Sequence, residues 1–160
     1  METIAILAPV ILSFLILVMP RGLRYPYTLA VTCLAILATS VPAVSALMQP
    51  TAQPLTFTPV NFLGTITFTI DSLSAFFILV TNFTVFTGLL YANGYLKSYI
   101  GEKKPARFAL HYFSYVWLHF SMLGVLMLRD GLAFLIVWEL MAVSSVVRIL
   151  FEAEHRTTLN

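Results

Sequence analysis

The chain has 160 residues, of which 59% are hydrophobic and 10% charged, with a net charge of +2 and a mean hydropathy of +0.91. Soluble domains carry about a quarter charged residues, so this chain lacks the polar surface to face water on all sides, and most of its surface must face lipid. The small positive balance does not mark a nucleic-acid binder, because the cations stand in short clusters between apolar runs, where they orient helices in a bilayer; the single cysteine, Cys33, excludes an intrachain disulfide and reads as a small hydrophobe.

A helix that crosses the hydrocarbon core takes about 20 apolar residues, and about five segments meet that requirement, predicting an all-α integral membrane protein with a single membrane domain over 1–160. The first span is 3–19. Glu2 is the only charge before it, while Arg21 and Arg24 follow it. That order is the reverse of a signal peptide, so a retained helix with its N-terminus outside is expected. Pro20 and Pro26 mark the turn into a second span over 25–48, which Pro42 is expected to kink near its end.

Leu55-Thr56-Phe57-Thr58 and Thr65-Ile66-Thr67-Phe68-Thr69-Ile70 then alternate apolar with hydroxylated residues around Pro59, Asn61 and Gly64. This period of two predicts an extracytoplasmic β-hairpin over about 55–70, with a re-entrant amphipathic loop as the other reading. A third span covers 72–95, with Asp71 placed as its N-cap and Lys97 beyond its end. The fourth and fifth spans, 108–128 and 131–151, are separated only by Arg129 and Asp130 and form a tight helical hairpin; Asp130 is a second helix-start residue.

Cations in short loops are retained on the cytoplasmic side. With the N-terminus outside, Arg21, Arg24, Lys97, Lys103, Lys104, Arg107 and Arg156 fall inside and only Arg129 outside. The 97–107 loop is therefore expected in the cytoplasm, and the chain in a bacterial or archaeal plasma (inner) membrane.

Glu139 is the residue most able to carry chemistry. It lies about 12 Å along the fifth helix from its outer end, deep in hydrocarbon. A charge there costs about 2.5–3.5 kcal/mol on insertion scales, which makes an intramembrane carboxylate a proton or ion site by default. The other reading is a structural glutamate bonded to a neighbouring helix. His119, about nine residues from the same outer surface on the fourth helix, is the candidate partner in a proton relay; its alternative is a packing histidine with one nitrogen satisfied. His111, Tyr112 and Tyr115 read as interfacial, and Arg148 as a cation that snorkels to the cytoplasmic surface, too far along the helix to pair with Glu139. No catalytic centre, metal site or cofactor site is expected: there is no phosphate-binding glycine loop, no paired-cysteine motif and no nucleophile with a base.

Ile70-Asp71-Ser72-Leu73-Ser74-Ala75-Phe76-Phe77 and Trp138-Glu139-Leu140-Met141-Ala142-Val143-Ser144-Ser145, in that order and spacing, resemble segments of the antiporter-like proton-translocating subunits. That family comprises large membrane subunits of complex I, Mrp-type cation/proton antiporters and component B of hydrogenase-4-type complexes, the last being the nearest likeness. The resemblance implies that Glu139 pairs with a lysine on a later helix and that proton transfer is coupled to electron flow in partner subunits. It also implies that the chain corresponds to the N-terminal portion of a longer fold with inverted repeats and broken helices. Partners expected from it are the other membrane subunits of a hydrogenase or complex-I-like NADH/quinone oxidoreductase, and a chain supplying the later helices. A structural membrane subunit or remnant that moves no protons is the alternative; a small free-standing multidrug-type exporter accounts for neither the hairpin nor the 97–107 loop.

Overall fold

The computed structural model describes residues 10–48, 55–57, 66–97 and 105–156. In chain order it contains α1 (Leu15–Val18), α2 (Arg21–Met48), β1 (Leu55–Phe57), β2 (Ile66–Phe68), α3 (Ser72–Lys97), α4 (Pro105–Met127) and α5 (Gly131–Arg156). The fold is mainly helical, and among the described residues three helices are long and apolar enough to cross a membrane: Arg21–Met48, Ser72–Leu96 and Gly131–Phe151. Residues 3–9 of the expected first span, the 58–65 turn with Pro59, Asn61 and Gly64, and most of the 97–107 loop lie outside the described residues.

α4 is not among these three helices, and its polar residues have a structural setting. It packs against α1, α2, α3 and α5 at once, so its His111, Ser114, His119 and Ser121 are buried among protein neighbours, not in lipid. A helix enclosed by other helices can hold polar side chains that a lipid-facing helix cannot.

The N-terminal segment is not one straight helix. Residues 10–13 are helical and the chain tightens at Phe14, where Phe14 and Leu17 donate to the carbonyls of Ile11 and Phe14, three residues back. The Trp117 indole donates to Ser13 Oγ at 3.1 Å and the Tyr27 hydroxyl to the Leu12 carbonyl at 2.8 Å, which fasten this segment to α4 and α2. The expected turn between the first two spans is corrected as well: Pro26 lies inside α2, and Pro20 alone marks the break. Arg24, expected as a loop cation, is a buried residue of α2 whose Nε donates to the Met19 carbonyl at 2.8 Å and so satisfies an acceptor the break exposes. Pro105 opens α4 at a position where a missing N–H costs no hydrogen bond.

β1 and β2 pair antiparallel, with Leu55 opposite Phe68 and Phe57 opposite Ile66. β2 is also tied on its other side to the turn between α4 and α5. Thr69 N–H donates to Met127 O at 2.8 Å, Arg129 N–H donates to Thr67 O at 3.1 Å, and Phe68 bridges to Leu128. A lone two-stranded pair is marginal in water; this one is stabilised by the helices beneath it.

Both aspartates cap helices. Ser74 N–H donates to Asp71 Oδ1 at 2.7 Å and Ala133 N–H to Asp130 Oδ1 at 2.9 Å. Asp71 also forms an ion pair with Arg129, so the start of α3 is joined to the α4–α5 turn. The Ser74 hydrogen bonds, reinforced by Arg129, hold the Asp71 carboxyl down at about 2, below its ordinary 3.8. Because the folded value is depressed, Asp71 stabilises the fold above pH 3.8 and loses that contribution as pH falls toward 2. Asp71→Ala should cost about 1–2 kcal/mol at neutral pH, as loss of a cap and an exposed ion pair, and the difference from wild type should shrink as pH falls below 3.8 and be largely lost by about pH 2 in denaturation titrations.

α4 and α5 approach closely at Gly124, where an added Cβ would lie 2.8 Å from Val137 Cγ1. Valine is stiff at χ1 and cannot swing clear. Gly124→Ala is therefore expected to lower stability by about 1–3 kcal/mol, read as a reduced melting temperature in detergent.

Candidate functional site

The core divides into two apolar clusters. One holds Ile16, Val31, Leu89, Leu96, Tyr112, Tyr115, Val116 and Phe151; the other holds Ala43, Ile70, Ala75, Ile78, Leu123 and Met127. Along α2, α3 and α4 the residues that fall between the clusters are polar and buried: Thr39, Asn82 and His119. Asn82 Nδ2 donates to Thr39 Oγ1 at 3.0 Å and to Ser40 Oγ at 2.9 Å, while Asn82 Oδ1 is 2.9 Å from His119 Nε2. One amide thus connects three helices in the middle of the bundle.

The direction of each bond follows from counting hydrogens. Thr39 has one hydroxyl hydrogen, donated to the Ala35 carbonyl at 2.8 Å, so it can only accept from Asn82. This fixes the amide with its oxygen toward His119. An amide oxygen donates nothing, so His119 Nε2 carries the hydrogen. In the neutral ring Nδ1 is then a bare lone pair, buried with no hydrogen-bond partner among the described residues. A ring in this state can take a proton at Nδ1 without breaking its bond to Asn82.

Glu139 lies elsewhere. It is on an exposed face of α5, while His119 is 1% exposed. α5 turns Val137 toward Gly124 of α4 and Arg148 toward Tyr115. At about 100° per residue Glu139 points roughly 180–200° away from both. The helical hairpin therefore matches the depths of Glu139 and His119 without bringing them together. Around Glu139 the uncovered face is apolar: Leu132, Leu135, Ile136, Val143 and Val146 are all exposed.

His111, Tyr112 and Tyr115 are buried among protein neighbours. His111 packs against Phe151 with ring centroids 4.6 Å apart, Tyr112 lies 6.4 Å from Tyr25, and the Tyr115 hydroxyl donates to the Val85 carbonyl at 2.6 Å. Arg148 does not snorkel alone. It turns inward and places its guanidinium carbon 4.7 Å from the centre of the Tyr115 ring, because the face of α5 that carries it is the one packed on α4. Asn82 was not anticipated, although an amide near the middle of an apolar run was the signal that could have found it.

His111, Tyr115, His119, Ser145 and Arg148 line one side of a groove of about 650 Å³ between α3, α4 and α5. A smaller cavity of about 300 Å³ beneath Phe68 and Leu128 has an apolar lining and offers no chemistry. Among the described residues no three His, Cys, Asp or Glu side chains are grouped as metal ligands, and Cys33 is free.

These features define the chain as an α-helical protein with the length and composition of a membrane-spanning bundle. Comparison with known protein families returns no match, and neither does comparison with curated proteins.

Proposed function

We propose that this chain is the N-terminal part of a proton-translocating, antiporter-like subunit in a membrane-bound hydrogenase or complex-I-like oxidoreductase. It crosses a bacterial or archaeal plasma membrane with about five helices. Its N-terminus and paired strands lie outside, and the 97–107 loop lies in the cytoplasm. The observation that carries the reading is His119, a buried imidazole held through Nε2–H by Asn82 with a bare Nδ1, at the same depth as the intramembrane carboxylate Glu139. Glu139 adds support because a carboxylate on an apolar face calls for partner helices that bring a cation. His119 and Glu139 then act on separate faces of the α4–α5 hairpin and are not directly bonded. The Asn82 network favours a second reading, a structural subunit whose polar layer locks helix register and moves no protons.

Gentle purification from the native membrane followed by mass spectrometry separates the two. Recovery with a chain supplying broken helices and an intramembrane lysine, together with iron–sulfur or hydrogenase subunits, is the expected result. Recovery of this chain alone would sink the transport reading.

A further inference from the structure

Arg148 has no carboxylate partner among the side chains described. It lies three residues before Phe151, where the apolar stretch of α5 ends, which puts it near the boundary between acyl chains and headgroups. Its Nε is enclosed and has no hydrogen-bond partner, and the ring of Tyr115 beneath it is its neighbour. The Arg129–Asp71 ion pair lies at the opposite end of the bundle. Cation–π contact offsets part of the desolvation of a guanidinium but leaves its charge uncompensated.

The groove around Arg148 has the form of a site for an amphiphile. Arg148 lines it from α5, Tyr115 from α4, and Tyr91 and Tyr95, stacked with centroids 6.3 Å apart, from α3. Val85, Leu118, Met122 and Ile149 add apolar lining. It opens on the outside of the bundle, since Tyr91 and Ile149 on its rim are 75% and 65% exposed. Its volume of about 650 Å³ is that of a small-ligand site.

We propose that this groove between α3, α4 and α5 binds an anionic phospholipid, with the phosphate on Arg148 and an acyl chain along Leu118, Met122 and Ile149. The guanidinium fork suits two phosphate oxygens and the depth suits a headgroup. The cation count assigns this end of the bundle to the cytoplasmic leaflet, where anionic lipids concentrate. A carboxylate from a partner helix would answer the charge but not the apolar floor. The proposal stands whether or not the subunit moves protons.

The test is native mass spectrometry of the full chain in neutral detergent, with phosphatidylglycerol and phosphatidylcholine added at equal concentration. Phosphatidylglycerol is expected to be retained at least about fivefold better. R148Q should abolish the preference, R148K should keep part of it, and R129Q at the opposite end should leave it unchanged. Phosphatidylglycerol should also raise the melting temperature of the wild type and not that of R148Q. Equal retention of the two lipids by the wild type overturns the proposal even if R148Q fails to fold, and so does a preference that survives in folded R148Q. Displacement of the lipid by inorganic phosphate would reassign the site to a soluble anion, and a co-purified protein crosslinked at position 148 in place of lipid would reassign it to a partner subunit; either result overturns the lipid reading.

Discussion

Asn82→Leu is expected to destabilise the bundle by about 2–4 kcal/mol, because three hydrogen bonds, two of them fully buried, are lost together, each worth about 0.6 to 1.7 kcal/mol between membrane helices. Leucine branches at Cγ as asparagine does, so shape is nearly conserved and the loss is polar. The change strips the His119 Nε2–H and the hydroxyls of Thr39 and Ser40 of the amide that joins them. An unpaired buried donor costs more than the net worth of its bond, so His119 dominates the effect. His119→Leu in the Asn82→Leu background should therefore recover part of the stability, giving a favourable coupling in a double-mutant cycle. Unfolding in mixed micelles titrated with a denaturing detergent measures all four species. If Asn82→Leu is as stable as the wild type, the polar layer does not hold the helices.

On the proposed transport role, Glu139→Gln should reduce proton translocation by the intact assembly by about a hundredfold, the low end of what removing a proton-transferring group costs. Glutamine matches the size of glutamate and keeps a polar tip but cannot release a proton, so the bundle should fold as before. The site is open to partner helices in the isolated chain, with apolar residues on every side of the carboxylate. Inverted vesicles with a pH-sensitive dye read the transport, and Glu139→Asp should keep a measurable fraction of it. Undiminished pumping by Glu139→Gln would refute the role given to this residue and leave the structural reading.

What the sequence alone determined is what depends on short stretches of chain. Three apolar helices, the two aspartate caps and extended chain at 55–57 and 66–68 follow from hydropathy, from side chains placed beside orphan amides, and from a period of two. Glu139 stood out for the same reason, as one carboxylate within an apolar run. Tertiary structure decided which face each of these residues presents. Position along the chain gives depth in a bundle, but rotation about a helix axis is set by how neighbouring helices pack, and the Gly124–Val137 approach fixes that rotation for α5. It turns Arg148 inward onto Tyr115 and Glu139 outward. Packing also buried His111, Tyr112 and Tyr115, since α4 is enclosed on several sides. His119 found its partner not on α5, its neighbour in sequence, but in Asn82 on α3, because a buried polar group settles where another can satisfy it.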